Sequence, residues 1–207
     1  MGSPERSLVI ACGALARELL AVIEASGWPH LAVQCLPADL HNRPERITEA
    51  VRQKIRTARA SGHFSGLFVA YGDCGTGGAL DRMLAEEGVE RIPGAHCYEF
   101  LAGSDVFERL SDEEVGTFYL TDFLVRHFDR LVIRGLGLDR YPHLAAQYFG
   151  NYRRLVYLAQ QPSAERLDAA RAAAQRLGLA FEARETGLAP LAQALAFVNR
   201  ETIRWAN

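Results

Sequence analysis

Four cysteines, Cys12, Cys35, Cys74 and Cys97, are the residues of this sequence best suited to chemistry. None forms a local Cys-x-x-Cys pair, yet each falls at or just beyond the end of an apolar run that reads as a β-strand, or in a glycine-bearing loop after one. Open α/β sheets bind ligands beyond the carboxyl ends of their parallel strands, so sulfur atoms distant in sequence are expected to meet at one edge. Thiolates select zinc or an iron–sulfur cluster over magnesium or calcium, because soft sulfur matches those metals. The expected ligands are Cys12, Cys74 and Cys97, with the role of Cys35 open. A three-cysteine cluster would leave one iron for substrate, and a zinc site could substitute His96. Two other readings stand beside this one. Cys74 can act as a nucleophile without metal, partnered by Asp73, His96 or His41, or the cysteines can be buried small hydrophobes.

The segment Tyr71-Gly72-Asp73-Cys74-Gly75-Thr76-Gly77-Gly78 is the most unusual in the chain. Its glycines allow positive φ and let several N–H groups converge as an anion-binding nest, with a helix start at Gly78 adding its positive end. That environment is expected to lower the pKa of Cys74. Gly72, Gly75, Thr76, Gly77 and Gly78, with His41, are therefore the expected contacts for a substrate carboxylate or phosphate. Asp73, His96 and Glu99 are the candidate proton-transfer groups, although Asp73 can equally fix the turn and Glu99 can complement a helix start. The loop is neither a Walker A, lacking Gly-Lys-Ser/Thr, nor a Gly-x-Gly-x-x-Gly fingerprint.

These residues need a scaffold, and the sequence supplies one by alternating short β-rich runs with longer helical segments. Strands are expected at 8–11, 31–36, 67–71, 117–120, 131–134, 155–159 and 179–183, and helices at 14–25, 44–60, 78–87, 98–109, 122–128, 142–149, 164–177 and 189–204. Most strands are apolar on both faces, which predicts an α/β fold with a mostly parallel sheet flanked by helices on both faces, read as one unit over 1–207. Three strands run into glycine and then helix, an echo shared by any α/β protein and also by an internal duplication. Thr121 reads as a helix N-cap, and Gly178 as the end of the helix that begins near Ser163.

Composition narrows the function. The 207 residues carry 23 Lys+Arg against 25 Asp+Glu, a net charge of -2 that provides no general field for nucleic acid or an anionic membrane. Lys54 is the sole lysine, so the basic residues do not resemble a phosphate-binding surface. No run approaches the roughly 20 apolar residues of a membrane helix. Without an export signal, a reducing cytoplasm and free thiols are expected.

The segments around Cys12, Pro37-Ala38-Asp39-Leu40-His41-Asn42, the Gly72–Gly78 loop, Pro93-Gly94-Ala95-His96-Cys97-Tyr98-Glu99 and Thr117-Phe118-Tyr119-Leu120-Thr121-Asp122 resemble the bacterial and archaeal domain of unknown function numbered 1638. Genes of that family often lie beside corrinoid proteins and corrinoid-dependent methyltransferases. The resemblance thus implies a small-molecule role in methyl-group, or one-carbon, metabolism, with corrinoid met only through a partner protein or methyltransferase. An enzyme is one form of that role, and a metal-bearing accessory protein that loads or reduces a corrinoid partner is the other. The layout also resembles quinolinate synthase, in which separate α/β units each give one cysteine to a cluster, though no motif is shared and this chain is shorter.

Overall fold

The computed structural model describes residues 6–196, which group into two compact units: residues 6–97 with 191–196, and Tyr98–Pro190. Both are built on parallel sheets flanked by helices, so the expected α/β class holds. The strands form two sheets where one was expected, and each unit is described by itself.

The first unit has strands β1 (Ser7–Cys12), β2 (Leu31–Leu36), β3 (Gly66–Ala70) and the short β4 (Glu90–Arg91), in the order β2-β1-β3-β4, all parallel. Every residue of β1 is buried, which requires cover on both faces of the sheet and explains the unbroken apolar run that follows Ser7. Helices α1 (Ala16–Ala25), α2 (Ile47–Ser61) and α3 (Ala79–Glu87) belong to this unit. In α2 the buried residues Ile47, Val51, Ile55 and Ala58 recur at helical spacing, and Gly62 ends the helix in the left-handed conformation. Arg52, Arg56 and Arg59 on α2 pair with Glu86 and Glu87 on α3, tying the two helices along their exposed faces. Leu191 and Leu195, on a helix running through 189–196, are fully buried; the remainder of the expected 189–204 helix lies outside the described residues.

Register decides which side chains share a face. Ala11 pairs with Cys35 and with Ala70, and Cys12 pairs with Leu36. Side chains alternate across a strand, so Cys12, Leu36 and Tyr71 occupy one face while Cys35 occupies the other.

The second unit begins with α4 (Cys97–Ala102), whose first residue belongs to the first unit, and α5 (Ser104–Glu113). One helix was expected over 98–109; Gly103, at φ +84, breaks it into two. Strands β5 (Thr117–Thr121), β6 (Arg154–Ala159) and β7 (Ala180–Glu185) form a parallel sheet in that order, with α6 (Asp122–Arg126), α7 (Leu144–Phe149) and α8 (Ala164–Leu177) between them. Thr121 caps α6 by accepting the Leu124 N–H, Ser163 caps α8 by accepting that of Arg166, and Gly178 closes α8 in the left-handed region. The outer strand β7 carries Glu182, Arg184 and Glu185 and is largely exposed.

The strand expected at 131–134 is absent: Asp129–Ile133 is a turn of π-helix. Leu131, Val132 and Ile133 are all buried in the core of the second unit, and so brief an apolar run fits a buried helix as well as a strand. Among the described residues no helix is long and apolar enough to cross a membrane.

Candidate functional site

The carboxyl ends of β1 and β3 bring together three of the four cysteines. Cys12 ends β1, Cys74 lies four residues beyond the end of β3, and Cys97 opens α4. The Cys74 and Cys97 Sγ atoms stand 3.2 Å apart. Cys12 is close enough to both to interact electrostatically. Cys35 lies on the opposite face of the sheet by register; it interacts electrostatically with Cys12 and with Lys54, but not with the Cys74–Cys97 pair through any bond. All four are free thiols.

Two backbone hydrogen bonds lock the sulfur pair. The Asp73 N–H donates to the Gly94 carbonyl at 3.0 Å and the Cys74 N–H to that of Ala95 at 2.9 Å, so the loop after β3 lies against the loop before α4. That contact needs a glycine, because a Cβ on Gly72 would stand 2.8 Å from the His96 backbone. Arg91 steadies the second loop by donating to the Ile92 and Gly94 carbonyls while pairing with Asp81.

The two thiols are electrically unequal. Cys74 is lowered below the ordinary thiol value, chiefly because the Cys97 thiol donates to it, aided by the backbone N–H groups of Cys97 and Gly72 and opposed by burial and by Asp73. Cys97 is correspondingly raised, first by that same bond and then by burial. Of the two, Cys74 is thus the sulfur that ionises. Burial pushes Cys12 up to about 11 although the Ala14 N–H faces its sulfur. The Tyr71 hydroxyl is buried beside Cys12, near enough for a weak polar contact, but has no partner at good hydrogen-bond geometry. Burial, then the adjoining thiols, hold it neutral far above its usual range.

The glycine loop does form a nest, but its occupant is internal. Cys74 at φ +48 is the single non-glycine residue with positive φ among the described residues, followed by Gly75, Gly77 and Gly78 in the same region. The Asp73 carboxylate accepts from the Thr76 hydroxyl at 2.6 Å and from the N–H groups of Gly78 at 2.8 Å and Gly77 at 3.1 Å. These bonds, that of Thr76 foremost, keep Asp73 below the usual carboxylate range. The amides of Gly77 and Gly78 and the Thr76 hydroxyl, expected to meet a substrate anion, meet Asp73 instead, and Asp73 closes the turn that leads into α3. Cys74 is lowered as expected, but by Cys97 and Gly72 and not by the α3 terminus. A side chain at Gly75 would meet Pro44, and Gly72 supplies a close approach and an N–H facing the sulfurs.

His41, in the single turn after β2, meets His96 edge to face with ring centroids 5.5 Å apart. Enclosure by protein lowers both, His96 to about 3, where the neighbouring His41 adds a smaller push. Both rings are therefore neutral near pH 7. Glu99 belongs to the second unit, where its carboxylate accepts from the Ser104 hydroxyl at 2.8 Å. Among the described residues, no group of three His, Cys, Asp or Glu side chains is arranged to hold a metal ion.

Tyr71 is the member of this site that its residue type alone did not single out. The available signal was an aromatic hydroxyl ending an aliphatic strand, one residue before the glycine loop and on the parity of Cys12. The second unit also has a cavity, of about 320 Å³, bounded by Ala159, Pro162, Leu167 and Ala183 with Tyr157, Ser163 and Glu185. Its two hydroxyls are engaged, Tyr157 donating to Asp122 and Ser163 capping α8, which leaves walls suited to packing more than to chemistry.

No curated protein and no solved structure matches the chain. A family model described as "Protein of unknown function (DUF1638)" matches residues 35–195, a span that includes Cys35, Cys74 and Cys97 and begins after Cys12. The chain therefore belongs to the DUF1638 family.

Proposed function

We propose that Cys12, Cys74 and Cys97 form a thiolate centre for a soft metal ion, serving a small-molecule reaction in corrinoid-linked methyl-group metabolism. The observation that carries this reading is the 3.2 Å approach of the Cys74 and Cys97 sulfurs, with Cys12 in electrostatic range. Two thiolates on one tetrahedral zinc stand about 3.8 Å apart, given a Zn–S bond of about 2.3 Å. Cysteines on separate irons of a cluster stand much farther apart. Of the two cofactors, a single zinc-like ion thus fits the pair better than an iron–sulfur cluster; the described residues offer two preset sulfurs and no preset third ligand, so Cys12 would have to turn toward the pair to become the third donor and leave a fourth position for substrate. Bound there, such an ion would act as a Lewis acid and lower the pKa of a thiol or water that it holds.

The protein's own groups serve that chemistry in stated ways. The Gly72 and Cys97 N–H groups hold negative charge on the sulfurs, while His96, the residue before Cys97, is a neutral ring set edge to face against His41. Asp73 shapes the loop by accepting from its Thr76 hydroxyl and its Gly77 and Gly78 amides. Four free thiols suit a reducing cytoplasm. The methyl-group setting, and a corrinoid protein or methyltransferase as partner, rest on the family resemblance. An accessory protein that loads or reduces such a partner would use the same centre with a closed ligand set.

Anaerobic purification followed by elemental analysis and an absorption spectrum tests the centre. The expected result is a colourless protein with about one zinc per chain, lost in Cys74→Ser and Cys97→Ser and weakened in Cys12→Ser. A brown protein with a broad visible band would select the cluster. A chain that retains no metal even when zinc or iron is supplied overturns the reading.

A further inference from the structure

We infer that Cys74 and Cys97 are a dithiol–disulfide couple that exchanges two electrons with small disulfide substrates. The inference uses the same two sulfurs as the proposed metal centre but needs neither Cys12 nor a metal. At 3.2 Å the sulfurs must close by only about 1 Å to reach the length of a disulfide bond. The backbone bonds from Asp73 to Gly94 and from Cys74 to Ala95 hold their segments in register, so closure requires side-chain rotation and not a search by two loops. Exposure separates the roles: Cys97 is 9% exposed, whereas Cys74 is only partly buried. The cysteine of the less buried residue attacks and the more buried one resolves.

The step balances within the named reactants. Cys74, as thiolate, attacks one sulfur of the substrate disulfide and breaks its S–S bond. The first half of the substrate leaves as a thiol, carrying the proton that Cys74 gave up. Cys97 then attacks the Cys74 sulfur of the mixed disulfide, and the second half leaves with the proton of Cys97. The Cys74–Cys97 dithiol is oxidised to a disulfide, and the substrate is reduced to two thiols. An added dithiol reverses the sequence.

The test uses the intact chain, stripped by a chelator and incubated anaerobically with oxidised glutathione. Free thiols should fall from four to two, with peptide mapping finding Cys74 joined to Cys97 and no glutathione retained. Dithiothreitol should restore all four. In Cys97→Ser the mixed disulfide should persist on Cys74, and Cys12→Ser should behave as the parent chain. A parent chain that keeps glutathione on Cys74, pairs other cysteines or does not react overturns the inference. Metal content of the untreated protein is read separately, so a metal-free chain that forms this disulfide removes the metal reading alone, and a zinc-bearing chain that never forms it removes this inference alone.

Discussion

Both units end a parallel sheet in a cluster of buried polar groups, and the clusters are built to opposite standards. In the second unit Asp122, 1% exposed, accepts from the Tyr157 hydroxyl at 2.7 Å, the Gln161 N–H at 3.0 Å and the Gln160 N–H at 3.2 Å, with Arg166 beside it. Its own N–H donates to the Gln160 side chain. This carboxylate fastens the start of α6 to the loop after β6. In the first unit the thiols crowd together, Tyr71 has no well-placed partner, and Cys74 sits in a left-handed conformation. A saturated network holds shape, whereas an under-satisfied, strained one is where chemistry is expected.

Three measurements probe that contrast. The largest effect is expected from Asp122→Ala, which leaves several buried donors unpaired and should cost about 3 kcal/mol or more in urea unfolding, with the sulfur chemistry of the folded fraction unchanged. A loss below about 1 kcal/mol would erase the distinction between the clusters. An intermediate effect is expected from the histidines in metal-free protein. His96 titrates at about 3 when folded against 6.5 ordinarily, so between those values the unfolded chain binds more protons. Stability should therefore decline as pH falls from 6.5 toward 3, by about 2 kcal/mol at pH 5, and His96→Asn should flatten the decline. The smallest effect carries the opposite sign. Cys74→Gly relieves a positive φ and should raise stability by about 0.5–1 kcal/mol while abolishing thiol exchange, whereas Cys74→Ala should abolish exchange without that gain. Equal stabilities for the two variants would show that the backbone at Cys74 stores no strain.

The fold was legible wherever a segment had both a periodicity and a boundary residue. Strand β2 falls on 31–36 as expected, and α8 lies between its Ser163 cap and Gly178. Boundaries failed where two conformations share one local pattern, as at Leu131-Val132-Ile133 and at the Gly103 break. Convergence of Cys12, Cys74 and Cys97 was readable because strand ends in parallel sheets line up. The internal use of the nest by Asp73 was not, since a carboxylate inside a glycine loop serves a ligand site and a self-capped turn with the same sequence. The buried role of Asp122 was hidden behind Thr121, whose capping gave a sufficient local explanation for both residues.

The acidic and basic side chains on β7 bear on how copies of this chain meet. Its outer backbone edge is a template on which a foreign strand could hydrogen-bond, and a long, apolar border of that kind seeds amyloid-like stacking. Glu182, Arg184 and Glu185 would have to give up hydration to admit such a guest. That border is thereby guarded against strand addition and fibrillar growth.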